Sequence, residues 1–175
     1  VHTFTGGLKV SGGTNLLDFA NLGPPTDLIN SGNTLTLDGG ALFIKGKSSG
    51  STSQTLGNLT QNAGGGQILI DPNGGTGTTL ALGSLTATNA GGSLLVGKAT
   101  GAGGGSVTIT TTSNKDAQGI YGGRTVFTSD GGTNVDWATT ASGGSPYTLS
   151  AYSGYTALPS SGGSSSVNYR MTAAT

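Results

Sequence analysis

The run Gly39-Gly40-Ala41-Leu42-Phe43-Ile44 returns as Gly65-Gly66-Gln67-Ile68-Leu69-Ile70 and again as Gly91-Gly92-Ser93-Leu94-Leu95-Val96, each copy starting 26 residues after the one before. A glycine pair followed by three aliphatic or aromatic residues is a corner followed by a short strand, since glycine tolerates the sharp turn and the branched residues favour extended backbone. A fixed period of this length, built from strand-sized runs, is the signature of a solenoid. Each coil would lay its strands over those of the coil before, about 4.8 Å apart in a parallel ladder.

Extended at the same period, the pattern reaches Leu16-Leu17-Asp18 below and Ile120-Tyr121-Gly122 and Pro146-Tyr147-Thr148 above. A second block, Leu56-Gly57-Asn58-Leu59-Thr60, recurs as Leu82-Gly83-Ser84-Leu85-Thr86. A third recurs with one residue of drift, Leu80 and Leu82 against Val107 and Ile109. Thr34-Leu35-Thr36-Leu37 and Val107-Thr108-Ile109-Thr110 alternate with period two, as strands with one apolar face do. Pro24-Pro25, Pro72-Asn73-Gly74-Gly75 and Gly101 to Gly105 mark corners or small excursions. The expectation is an all-β parallel β-helix (β-solenoid) of about 26 residues per coil and about six to seven coils. Residues 1–113 form regular aliphatic coils and residues 114–175 less regular, aromatic-rich ones. Leu42, Ile68, Leu94 and Ile120 form one inward column, and Ile44, Ile70 and Val96 another. Neither end shows an obvious cap, so the segment is expected to belong to, or stack into, a longer rod.

Composition supports this reading. Of 175 residues 35 are Gly, and all seven acidic residues are Asp. A chain without Glu and so rich in Gly, Ser, Thr and Asn lacks helix formers and is filled with residues that compete with helices. Seven cations balance seven anions, which argues against a phosphate-binding surface and hence against nucleic acid as partner. With no Cys and one His there is no disulfide frame and no thiolate or imidazole metal site. No apolar run reaches the roughly 20 residues of a membrane-spanning helix. The start at Val1, without Met or a signal-peptide pattern, suggests a processed or excised segment.

Motifs that could carry chemistry lack their contexts. Gly46-Lys47-Ser48-Ser49-Gly50 matches the G-x-S-x-G nucleophile pattern, but that chemistry needs a strand-to-helix elbow and a His base, and His2 is the only histidine. The same stretch ends like a phosphate-binding loop, yet Ala41 stands where that loop needs glycine. Gly131-Gly132-Thr133-Asn134-Val135-Asp136 loosely matches a calcium-binding nonapeptide, in a single copy where stacked copies are needed. A polysaccharide lyase would need a base and a carboxylate cluster, and only Lys45 and Asp71 stack one coil apart. No catalytic, cofactor or metal residue is therefore assigned. Seven of the ten aromatics lie between Tyr121 and Tyr169. Trp137, Tyr147, Tyr152 and Tyr155 could stack on sugar rings, or fill the end of the coil.

Four stretches taken in order carry a resemblance: GGTNLLDFANL at the start, NTLTLDGGALFIKGKSSGSTSQTLGNLTQNAGGGQILIDPNGG, GIYGG through GGTNVDWATT, and YTLSAYSGYTALP followed by NYRMT. Together they resemble the autotransporter-associated β-strand repeat proteins, large secreted or surface proteins of Planctomycetes, Verrucomicrobia and relatives. The resemblance implies a parallel β-helix at the bacterial cell surface, with no catalytic residues to carry over.

The functional expectation is an extracellular structural element of a fibre, filament or adhesin stalk, with no enzymatic role. Its partners are other copies of itself, stacked end to end or laterally, and in the alternative reading surface glycans bound by an adhesin module. Alternation supplies the candidate surface. If Leu42 and Ile44 point inward, Phe43 points out, and the 26-residue period extends it to a ridge of Leu17, Phe43, Leu69, Leu95, Tyr121 and Tyr147. Such a ridge on a soluble chain is covered, either by its own Pro24 to Asn30 loop or Ser-rich tail, or by another copy.

Overall fold

The computed structural model describes residues 2–87, 91–140 and 143–171, and every regular element among them is a strand. The strands build a β-solenoid of about four turns with three walls. The first wall stacks β1 (Leu8–Val10), β3 (Leu35–Leu37), β6 (Leu59–Gln61) and β9 (Leu85–Ala87), all parallel. The second stacks β2 (Thr14–Asp18), β4 (Ala41–Lys45), β7 (Gly66–Asp71) and β10 (Leu94–Lys98). The third stacks β5 (Ser51–Thr55), β8 (Gly77–Ala81) and β11 (Ser106–Thr111).

Inward positions of the three walls meet in one aliphatic core. Leu42, Ile44, Ile68, Ile70 and Val96 come from the second wall, Leu35, Leu37 and Leu59 from the first, and Leu80 and Ile109 from the third. Corners stack as faithfully as strands. Gly83 N–H donates to the Gly57 carbonyl at 3.0 Å, and Ser84 N–H to the Asn58 side-chain oxygen one coil below. Asn73 takes the left-handed turn at φ 56°, which asparagine tolerates, and its side chain donates to the Gly46 carbonyl. The G-x-S-x-G match is therefore a polar corner between β4 and β5, with no helix after it.

The third wall is thinner in the first coil, where Thr26 makes a single bridge to Ser53. There the fully buried Gln54 stands in for backbone. Its amide nitrogen donates to the Ile29 carbonyl at 2.9 Å, and its oxygen accepts from Ile29 N–H at 3.2 Å. One coil up, the same column holds Leu80 and then Ile109.

Three expectations are corrected. First, the inter-coil spacing is not constant. Leu42 lies beside Ile68, but Ile68 lies beside Val96, and Leu94 beside Gly66, so β10 slides by two residues. Leu80 faces Ile109 rather than Val107. Ile120 is buried but sits in a turn, outside the column. Second, stacking of parallel coils stops after about four turns rather than six or seven. β12 (Thr125–Thr128) still pairs parallel with β10, but β13 (Val135–Thr140) and β14 (Tyr147–Ala151) run antiparallel to their neighbours. Third, one end is capped. β14 pairs antiparallel with β11, so the meander crosses the end of the rod from the second wall to the third. The hydrogen-bonded order is β2-β4-β7-β10-β12-β13-β14-β11-β8-β5, one ten-stranded sheet folded over the end. Both of its terminal strands, β2 and β5, lie away from the cap. The chain then adds a small ladder of β15 (Thr156–Ala157) and β16 (Tyr169–Arg170).

The paired sequences GGTN at Gly12 and Gly131 show how local chemistry and partner choice separate. Gly12, Gly13, Gly131 and Gly132 all have positive φ, so both are left-handed glycine corners. The first leads into a parallel strand and the second into an antiparallel one.

Candidate assembly surface

The outer face of the second wall carries an apolar row that differs in part from the six residues the period implies. Phe43 and Leu69 lie side by side, half-buried, between the inward residues of β4 and β7. Below Phe43 stands Leu16, 53 % exposed, while Leu17 pairs with Ile44 and is buried. The reason is parity. β2 and β4 are offset by 27 residues, and an odd offset turns every side chain to the other face. The offset of 28 between β7 and β10 is even, so Leu95 stays outside, beside Gln67, two residues along the strand from Leu69.

Above Leu95 the row continues through Val126 and Trp137, which pair in turn across β12 and β13. Tyr121 and Tyr147 are not on it. The chain spends extra residues in the Gly101 to Gly105 corner and the 112–124 turn segment, and Leu94 meets Thr125 at an offset of 31. Extrapolation at 26 therefore lands on Tyr121 in a turn and Tyr147 in the cap. The observed row is Leu16, Phe43 and Leu69, then, shifted by two residues, Leu95, Val126 and Trp137. Leu16 was available to sequence reading only through the parity of a 27-residue offset. Val126 and Trp137 carry no repeat signal.

A charged row borders it. Asp18, Lys45 and Asp71 stand in register on consecutive strands. Asp71 also accepts from Asn73 N–H at 2.7 Å and Gly103 N–H at 2.8 Å, stapling two stacked corners. This is corner-holding work, the same that Asp116 does for Gln118 and Ile120 N–H. In the GGTNVD stretch the carboxylates are already engaged. Asp130 accepts from Asn134 N–H at 2.9 Å, which with the Asn134 side chain holds its carboxyl below the usual range. Asp136 pairs with Arg170. Among the described residues no group of three or more His, Cys, Asp or Glu is placed to hold a metal ion.

Concavities flank these rows. A cleft of about 430 Å³ opens where the first wall ends, lined by Leu59, Leu85, Leu94, Tyr121, Asp116 and Arg124. Tyr121 donates to the Ser113 carbonyl at 2.9 Å, and burial, then the nearby Tyr147, pushes its phenol up to about 12. A groove of about 410 Å³ follows the glycine corners Gly13, Gly39, Gly40 and Gly64 to Gly66. A third, of about 330 Å³, lies among Tyr152, Tyr155 and Arg170. There the aromatic surfaces meet their own chain. The Tyr152 ring abuts Gly119 and Gly154, and its hydroxyl donates to the Gly154 carbonyl. Tyr155 meets Tyr152 edge-on at 4.9 Å and carries the Arg170 guanidinium 4.2 Å from its centre.

Comparison of the chain with known protein families, with curated proteins and with solved structures finds no match.

Proposed function

We propose that the chain is an extracellular structural β-solenoid, a building block of a bacterial surface fibre, filament or autotransporter-type adhesin stalk. The observation that carries the reading is the apolar row Leu16, Phe43, Leu69, Leu95, Val126 and Trp137 on the outer face of a neutral rod. A row of this extent on one wall is a surface suited to lateral packing against another copy, and zero net charge does not oppose it. The 155–170 segment meets the Trp137 end of this row, where Trp137 N–H donates to the Tyr155 hydroxyl at 3.5 Å. The 19–27 excursion lies at the next corner, where the Lys47 ammonium donates to the Leu22 carbonyl. The resemblance to autotransporter-associated repeats supports the surface setting, and a coil of about 26 residues is the unit such a rod would repeat. The role is mechanical rather than catalytic. Parallel ladders on both sides of each interior strand resist local opening, and the Thr- and Ser-rich exterior stays wet without charge.

The test is the double variant Phe43→Asp with Leu69→Asp. Both side chains point out of the core, so the fold is expected to survive, with sedimentation as discrete short rods in place of polymer. Unfolding of the variant, or assembly identical to the parent, would refute the lateral seam.

A further inference from the structure

The two ends of the rod differ, and the difference fixes how copies can meet end to end. At the capped end the meander of β13 and β14 occupies the edges of both β12 and β11. At the other end β2 terminates the ten-stranded sheet, and no described strand lies along its outer edge. The Gly13 carbonyl accepts from Ala41 N–H, and Phe19 N–H donates to the Lys45 carbonyl. In a parallel ladder this alternation turns the N–H and C=O of Thr14, Leu16 and Asp18 toward the open side. Phe4, Leu16 and Leu22, all at this end, are exposed.

We infer that two copies of this chain join through their open ends, β2 pairing antiparallel with β2 of the second copy about a twofold axis through Leu16. The strand is its own complement. Its three edge-facing residues are centred on Leu16, so Leu16 meets Leu16 and exchanges both hydrogen bonds, while Thr14 meets Asp18 on either side. The single charge of each strand therefore faces a hydroxyl rather than its like. Leu16 side chains fall together on the outer face, and Asn15, whose buried side-chain oxygen has no partner, falls opposite Leu17 on the inner face. The rotation reverses the order of the walls, so each β1 faces the third-wall edge of the other copy. Because the meander covers the second- and third-wall edges at both far ends, the joint through this sheet closes as a dimer and does not propagate. The inference goes beyond the lateral seam and stands without it.

Sedimentation velocity of the Phe43→Asp, Leu69→Asp variant, which lacks the lateral seam, over a range of concentrations, with amide hydrogen exchange on the variant and the parent, tests it. The expected result is a monomer–dimer equilibrium in which the amides of Thr14, Leu16 and Asp18 gain protection as the dimer forms. Leu16→Lys places like charges across the axis on an already exposed site and should weaken the dimer at least about 100-fold. Thr14→Lys, set against Asp18 of the other copy, should tighten it a few-fold. The dimer should persist in the Phe43→Asp, Leu69→Asp variant, which separates this joint from the lateral seam. If that variant does not fold, protection at the three amides of the parent chain decides alone. A monomer at every concentration, or a dimer that leaves those three amides unprotected, would overturn the inference. So would end-to-end polymers that grow without limit in the seam variant.

Discussion

Replacing Ile68 and its neighbour Leu69 by alanine, one at a time, separates the two faces of the second wall. Ile68 has no exposed surface and sits between Leu42 and Val96 in consecutive coils. Ile68→Ala removes three carbons at about 0.8 kcal/mol each in transfer energy alone. The flanking ladders hold the backbone on both sides, so the void closes poorly, and the full loss belongs in the upper part of the range of about 2–5 kcal/mol. We take about 4 kcal/mol as the expectation. Leu69 is half-buried on the outside, and its truncation should cost about 1 kcal/mol in the isolated rod. In urea, at a slope of about 2 kcal/mol/M, the first variant should unfold about 2 M earlier than the parent and the second about 0.5 M earlier. The comparison is best made on the Leu16→Lys background, where copies do not join at β2. Equal losses, or a larger loss at Leu69, would mean that the inward column has been assigned to the wrong face.

Three further outcomes follow from particular contacts. Gln54→Leu should destabilise the protein by about 1–3 kcal/mol in the same assay, although the residues above it in the column are apolar, because it strands the Ile29 N–H and carbonyl. An unchanged or stabilised variant would show that those groups find other partners. At Gly97, φ is +142° and an added Cβ would collide with the Thr128 carbonyl, so Gly97→Ala should cost about 1–3 kcal/mol and raise amide exchange first in β12 and β13; exchange rising uniformly over the chain would count against a local role for that approach. The raised Tyr121 phenol gives an alkaline dependence. Its neutral form is favoured by folding, so its contribution is complete below the unfolded value of about 10 and is lost as pH rises to about 12. Tyr121→Phe should remove that slope in thermal denaturation between these limits, and a slope that persists would assign it to another group.

What the sequence made legible was the part governed by local repetition. The triplets Leu42-Phe43-Ile44 and Ile68-Leu69-Ile70 obey a 26-residue offset and stack in the structure as their spacing implies. Where corners change length, the outcome depends on arithmetic that the triplets do not reveal. A single extra residue between β2 and β4 exchanged Leu17 for Leu16 on the outer row, whereas two extra residues before β10 left Leu95 on its face. The cap was illegible for a different reason. Antiparallel pairing of Val126 with Trp137 and of Thr140 with Leu149 is a choice of long-range partner, and strand propensity is silent on partner and direction. The aromatic enrichment past Tyr121 read as less regular coils, and nothing in it pointed to the antiparallel meander that stands there.

The central claim is that this solenoid serves by assembling, with the apolar row of the second wall as its seam. Electron microscopy of the purified chain beside the Phe43→Asp, Leu69→Asp variant tests it most directly. The account predicts laterally associated rods for the parent and separate short rods for the variant. Separate particles in both, together with retardation of the parent on a glycan column, would contradict it and favour a carbohydrate-binding module.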